Sequence, residues 1–407
     1  MSQGALSHVY WSRHWADVVL NTPVLWAKIT ISQHHSLEKT RRKLERSKSL
    51  PLEVVINFRM DYTISITEQV ILAMDLLRPS IWRIKSLHIC VPNRQQVHAI
   101  LHRCQEDAPR LETLTVQVQH SIQDERGLGA LPLFKGHTPR LQSCSFTSFH
   151  FGWDISLLRR LHTLKLDGYF NALAPSPAVL VTALCNCPEL EELSLRNILY
   201  GDAAHSLLTS DDTVISASSG KAAHLLRLTK ASFCYVDISL VKHVMNHITF
   251  PNLSSLELGY LGNVTQVLSA VYNQALTRLP LRRLRIDSCL FSELMLLNVL
   301  RRVPSLTAFE LIDVEDASSN LMKVSMYYLN PFFTNQHHSG HVHAPALDLS
   351  SFGDFDARRM YLVRLGFSSD GYRIAAPTQS KCICTISSVS IKHHVVRVGV
   401  SRSVCTL

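Results

Sequence analysis

One short pattern constrains this chain more than anything else in it: leucine, two spacers, leucine, one spacer, leucine. The clearest copy is Leu190-Glu191-Glu192-Leu193-Ser194-Leu195, approached through Cys187-Pro188-Glu189. It recurs as Leu111/Leu114/Val116 and Leu253/Leu256/Leu258, again after Pro-x, and as Leu161/Leu164/Leu166, Leu281/Leu284/Ile286 and Leu306/Phe309/Leu311. Looser copies are Ile84/Leu87/Ile89, Leu141/Cys144/Phe146 and Leu228/Ala231/Phe233. The first apolar positions, 84, 111, 141, 161, 190, 228, 253, 281 and 306, are separated by 27, 30, 20, 29, 38, 25, 28 and 25 residues. Most of these steps lie near the period of one recurring supersecondary unit.

Each copy has a physical reading. Residues two apart, such as Leu193 and Leu195, share one face of a strand, while Leu190 turns the chain inward ahead of them. The Pro-x-Leu approach fits a turn that delivers the chain into that strand. Between copies, Val97/Ile100/Leu101/Cys104, Val241/Val244/Met245/Ile248 and Val264/Val267/Leu268/Val271 follow i, i+3, i+4, i+7, the inner stripe of a helix. Strand and helix alternating at a fixed period predict an α/β fold, a leucine-rich-repeat solenoid with a curved parallel sheet and helices on the convex side. One unit cannot stand alone. Ordering its residues costs about 1–2 kcal/mol each, and burying a few large apolar side chains returns only about 1.5–3 kcal/mol apiece. Each unit must cover its neighbours' apolar faces, and the repeats must fold as one body.

Composition agrees with a large core: 46% of the 407 residues are hydrophobic and 18% charged, which excludes global disorder. The net charge of +9 is mild for this length, and the signs are interspersed. Met1 to Trp15 lacks a basic region, apolar core and small-residue cleavage site in succession, so no secretory signal is expected. No apolar run approaches the roughly 18 residues of a membrane span. The ten cysteines are scattered, with Cys104 and Cys144 at core-facing positions. A reduced thiol packs there as a small apolar group, which points to a cytoplasmic or nuclear location.

Ahead of the repeats, Ala5-Leu6-Ser7-His8-Val9 is followed by Trp15-Ala16-Asp17-Val18-Val19-Leu20-Asn21-Thr22-Pro23-Val24-Leu25-Trp26. Leu6, Val9, Trp15 and Val18 can line one side of a helix that Asn21-Thr22-Pro23 breaks, because the residue before proline avoids the helical region. Lys28-Ile29-Thr30-Ile31 then alternates like a strand. With Leu44-Glu45-Arg46-Ser47-Lys48-Ser49-Leu50-Pro51-Leu52, this string resembles the mushroom-type fungal F-box proteins, in which an F-box precedes degenerate leucine-rich repeats. The motifs cover about residues 5–58, and the repeats extend the similarity to about residue 313. Family members carry an earlier helix with a Leu-Pro, and this chain starts almost at the Leu-Ser-His-Val equivalent, so a box without its first part is expected. Tyr10-Trp11-Ser12-Arg13-His14-Trp15 stands where relatives show a Cys-Arg-Arg-Trp-like run.

The resemblance implies a substrate receptor of a cullin-type ubiquitin ligase. Leu6, Val9, Trp15, Val18, Pro23, Leu25 and Trp26 would contact the adaptor subunit or pack the box onto the first repeat. The other reading is a repeat scaffold without ligase association. The expected regions are 1–35, a truncated box-like helical segment; 36–80, a linker helix and first strand and helix; 81–325, the repeats; and 326–407, an irregular tail. Residues 36–50 read as a basic solvated helix, with a nuclear-import signal as the alternative. Ser210–Gly220 reads as a polar insertion.

No catalytic motif survives inspection. Gly127-Leu128-Gly129 runs into Pro132 where a dinucleotide loop needs glycine, and Ser219-Gly220-Lys221-Ala222 lacks the earlier glycine and the hydroxyl of a phosphate loop. Cys185/Cys187 and Cys382/Cys384 are too closely spaced for a structural zinc site. His243/His247 share a helix side without an adjacent acid, and His337, His338, His341 and His343 cluster in a polar stretch. The expectation is no enzyme, no cofactor and no metal. The strand positions between the leucines, Lys165, Asp167, Glu192, Arg196, Glu257, Arg283, Arg285, Asp287 and Glu310, are expected to face the concave side. Their mixed charge suits a target protein and lacks the basic stripe of a nucleic-acid groove. A monomer with neither nucleic-acid nor membrane partner is expected.

Overall fold

The computed structural model describes residues 13–59, 66–119, 134–149, 155–170, 174–200, 223–274, 279–312, 362–366, 385–391 and 395–401. They fall into two compact units, one within Met1–Glu192 and Asn197–Asp212, the other within Leu193–Arg196 and Thr213–Leu407. Leu6 and Val9, the 210–220 insertion, Gly127 to Pro132, Ser219 to Ala222, Cys382/Cys384 and the histidines at 337–343 lie outside the described residues.

In the first unit β1 (Lys28–Ile31), β2 (Leu52–Asn57), β3 (Ile84–Val91), β4 (Thr113–Val118), β5 (Ser143–Thr147) and β6 (Thr163–Phe170) pair in sequence order, every pair parallel. The helices α1 (Leu37–Arg46), α2 (Ile66–Leu77), α3 (Arg94–Arg103), α4 (Ile155–Leu158) and α5 (Pro177–Cys185) alternate with them. The strand β7 (Glu192–Leu199) contributes residues to both units. In the second unit β9 (Lys230–Val236), β11 (Ser255–Asn263), β12 (Arg283–Leu290) and β13 (Ala308–Ile312) form a parallel ladder. The helices α6 (Ile238–His247), α7 (Thr265–Gln274) and α8 (Glu293–Arg302) alternate with these strands. The short strands β8 (Ala223–His224) and β10 (Ile248–Thr249) pair parallel beside them. Beyond β13, β14 (Leu362–Gly366) pairs parallel with it, and β16 (Val395–Ser401) joins β14 and β15 (Thr385–Ile391) antiparallel. Each unit is therefore an open α/β assembly built on a parallel ladder with helices alongside, the second ending in the antiparallel strands β15 and β16.

Register shows why the leucine spacing works. In the first unit Ile29, Val54, Leu87, Leu114, Cys144 and Leu164 stand side by side on successive strands, and Ile31, Ile56, Ile89, Val116, Phe146 and Leu166 form a second row. All twelve are buried. In the second unit the rows are Ala231, Leu256, Leu284, Phe309 and Phe233, Leu258, Ile286, Leu311, again buried. The ladder begins at β1, upstream of the first repeat copy at Ile84. The helical stripes face inward as their periodicity requires: Val97, Ile100 and Leu101 on α3, Val241, Val244 and Met245 on α6, and Val267, Leu268 and Val271 on α7 are all buried.

The first leucine closes a turn in seven of the copies. The amides of Leu111, Leu141, Leu161 and Leu190 donate to the carbonyls of Ala108, Thr138, Leu158 and Cys187, three residues back, and Leu228, Leu253 and Leu306 do the same to Leu225, Phe250 and Val303. Proline at the second turn position presets the required φ in several copies. The residue after that leucine links one copy to the next. The Glu112, Gln142 and His162 carbonyls each accept two successive amides of the following copy, and so do those of Thr229, Ser254 and Arg282.

A second regularity lies seven residues past the first leucine. Ser148, Gly168 and Asn197, then Tyr235, Tyr260 and Ser288, all have φ between +49 and +70°. This left-handed kink falls just after β5 and near the C-terminal end of the strand in the other five copies. In β11 the pairing register shifts there, between Gly259 and Gly262. Glycine and asparagine accept such a kink readily, whereas for a bulky residue such as tyrosine it is an outlier.

The helix at residues 13–20 stops at Asn21-Thr22-Pro23, as the proline predicts, and Pro23–Trp26 forms one 3₁₀ turn. Trp26 Nε1 donates to the Val19 carbonyl at 2.9 Å, and the Arg46 guanidinium sits 4.6 Å above its ring. Trp15 and Leu25 are 58% and 56% exposed, and Val18 is exposed as well. Pro23 and Trp26 are half-buried.

Candidate functional site

Strand alternation that sends the leucines inward sends their neighbours to the opposite, polar face. In the first unit that face is mostly hydroxyl: Ser86, Thr113, Ser143 and Thr163 stand in one row, and His88, Thr115, Ser145 and Lys165 in the next. Its charged positions are paired. Lys165 Nζ lies 2.8 Å from Glu192 Oε1, and Asn197 Nδ2 donates to Asp167 Oδ1 at 2.8 Å.

The second unit concentrates the charge. Ser232, Glu257, Arg285 and Glu310 are neighbours in register. Ser232 Oγ donates to Glu257 Oε2 at 2.9 Å. Arg285 donates from Nη2 to Asp287 Oδ2 at 2.8 Å, with Nε 3.5 Å from Glu257 Oε1 and Nη1 4.0 Å from Glu310 Oε2. Arg283 Nη2 donates to Glu310 Oε1 at 3.0 Å. Desolvation alone would lower the Arg285 guanidinium, but the Asp287 hydrogen bond and the charges of Glu257, Asp287 and Glu310 hold it above its ordinary value. Asp287 and Glu310 are only 8% and 4% exposed, so they act as buried counter-ions that fix the arginines, while Arg196 and Arg283 are exposed and Glu257 and Arg285 half-buried.

Beside this network two tyrosines stand at the left-handed kink. Tyr235 and Tyr260 stack with ring centroids 4.1 Å apart and planes 8° apart, and both are nearly half exposed. Desolvation, then the Tyr260 hydroxyl, pushes the Tyr235 phenol up. Just before Tyr260 on β11, Gly259 stands level with Cys234 on β9 and Asp287 on β12. A Cβ there would lie 3.2 Å from Cys234 Sγ, so glycine keeps the floor low beside the aromatic pair.

Sequence reasoning named the charged ladder and missed the tyrosines. The signal was present: at the same offset from the first leucine, neighbouring copies carry Ser, Gly and Asn, and two adjacent copies carry Tyr. A bulky residue held where a small one is favoured marks a position maintained against local strain.

Chemically, these groups are suited to recognition. Burial pushes the Cys234 and Cys289 thiols up, away from the thiolate a nucleophile needs. Cys185 is exposed and Cys187 buried. The His243 and His247 rings lie 4.1 Å apart, with His247 Nδ1 2.8 Å from the His243 carbonyl. Among the described residues no group of three or more His, Cys, Asp or Glu is placed to hold a metal, and no helix is long and apolar enough to cross a membrane. Compared with known proteins, the chain matches no family model and no curated sequence.

Proposed function

We propose that this chain is a protein-binding module of the F-box and leucine-rich-repeat type, acting by recognition and not by catalysis. The polar face of the second unit receives a target protein. The observation that carries this reading is the exposed Tyr235–Tyr260 stack beside the Arg285-centred ion network. Tyrosine and arginine dominate binding energy where they are held rigid, because little conformational entropy is lost when a partner docks. Two stacked tyrosines, and an arginine hydrogen-bonded to Asp287 with Glu257 and Glu310 within 4.0 Å, meet that condition.

The exposed Trp15, Val18 and Leu25 support the adaptor-contact role for the N-terminal segment. A tryptophan and a leucine more than half in solvent, next to exposed Val24, form an apolar surface of the kind partners cover. The target is then held by the ladder while ubiquitin transfer takes place on other subunits.

Co-purification tests both halves. The full chain should retain the ligase adaptor, and Trp15→Asp with Leu25→Asp should release it while leaving target capture intact. Tyr260→Ala with Arg285→Ala should do the reverse. Failure of the full chain to retain the adaptor, with the target still captured, would identify a repeat scaffold without ligase association.

A further inference from the structure

The turns that lead into β5, β6 and β7 line an open, solvent-facing hollow of about 580 Å³ in the first unit. It is built by the same local rule as every other repeat junction, but its residues differ. The sequence places Arg159, Arg160 and His162 on one turn and Pro188 on the next, with Pro139 on the turn before. Arg160 Nη1 donates to the Pro139 carbonyl at 2.7 Å, which fixes that guanidinium at the mouth. His162 also lines the hollow, and its carbonyl accepts the Glu191 and Glu192 amides. Arg159 is exposed and makes no ion pair or side-chain hydrogen bond among the described residues. Glu189 is the one carboxylate of the lining.

Two guanidiniums against one carboxylate leave the hollow cationic. Guanidinium forks match the oxygens of a phosphate in geometry as well as charge. The volume falls within the roughly 300–1,000 Å³ of small-ligand sites, so the hollow admits an organic body besides the anion, and Pro139 and Pro188 offer it apolar walls. Cys185 lies in the same lining and is exposed, which makes occupancy readable.

We propose that this hollow binds a phosphate monoester, with Arg159 and Arg160 holding the phosphate and the two prolines packing its organic part. The ester is carried by a small organic phosphate or by a phosphorylated serine in a peptide segment. This site is separate from the tyrosine pair, and the proposal does not rest on the F-box reading.

Calorimetric titration of the full chain with free phosphoserine, with an Ala-pSer-Ala peptide and with its unphosphorylated form tests it. Free phosphoserine or the phosphopeptide should bind, the unphosphorylated peptide should not, and the bound ligand should slow alkylation of Cys185. Equal binding of the free amino acid and the peptide assigns a small ligand; tighter binding of the peptide assigns a phosphorylated segment. Arg159→Gln, which removes no contact of the fold, should weaken binding about tenfold, the loss of one charge-assisted phosphate contact. Absence of binding by both phosphorylated probes, or affinity unchanged in Arg159→Gln, would overturn the proposal.

Discussion

Arg285 sits where one residue can be asked to do two things, order the polar face and present it. Its guanidinium lies within 4.0 Å of Glu257, Asp287 and Glu310, of which Asp287 and Glu310 are buried. Arg285→Met strips those carboxylates of a shared counter-ion. Removing one partner of a buried pair costs about 3–5 kcal/mol, and the half-buried arginine here puts the loss at the low end, about 3 kcal/mol in a urea titration. Tyr260→Gly should behave differently. It relieves a left-handed backbone costing about 1–2 kcal/mol and gives up a stacking contact worth about 0.5–1.5 kcal/mol. Stability should therefore stay within about 1 kcal/mol while target capture is lost. The charged ladder was legible because alternation between leucines fixes which side chains leave the core. The tyrosines were not, since they lie just past the alternating stretch, at a kink whose backbone handedness no hydrophobic pattern reports.

Elements were more legible than residues. Three helices announced themselves through i, i+3, i+4, i+7 stripes, and those side chains are buried. The start of α3 is tied by a reciprocal cap: Asn93 Oδ1 accepts the Gln96 amide at 3.1 Å, and Gln96 Oε1 accepts the Asn93 amide at 3.3 Å. Asn93→Ala should lower stability by about 1 kcal/mol, seen as a shifted urea midpoint, and Gln96→Ala by less. The segment at residues 13–26 was half legible. Its proline break appears where the sequence places it, but burial of Trp15, Val18 and Leu25 does not follow from helical spacing alone. An apolar stripe is buried only if another element covers it, and among the described residues these three side chains remain exposed.

At the scale of the whole molecule, the repeated unit builds a core within each of the two units, and thiols are built into that of the first. Burial pushes Cys104 and Cys187 from 9.0 up to about 12, and raises Cys144 as well. The sign follows from linkage. The folded state holds these protons more tightly than the unfolded chain, so their contribution is complete below about pH 9 and is lost as pH rises from there toward the folded values. Each thiol should remove about 1.4 kcal/mol per pH unit in that window. Urea midpoints taken at about pH 8 and about pH 10 should fall steeply, and Cys104→Val should flatten the fall. An unchanged midpoint would mean that the thiols ionise freely in the folded chain.

Docking of a partner on the polar face of the second unit can be read by placing a photo-crosslinking amino acid on that face and away from it. Lys230 and Ser255 stand in one polar row beside Arg283, whereas Leu294 is exposed on α8. In cells expressing the full chain, positions 230 and 255 should capture the same discrete protein, lost on Tyr260→Ala, and position 294 should not capture it. Capture from position 294 alone, or capture at 230 and 255 that survives Tyr260→Ala with Arg285→Ala, would contradict it.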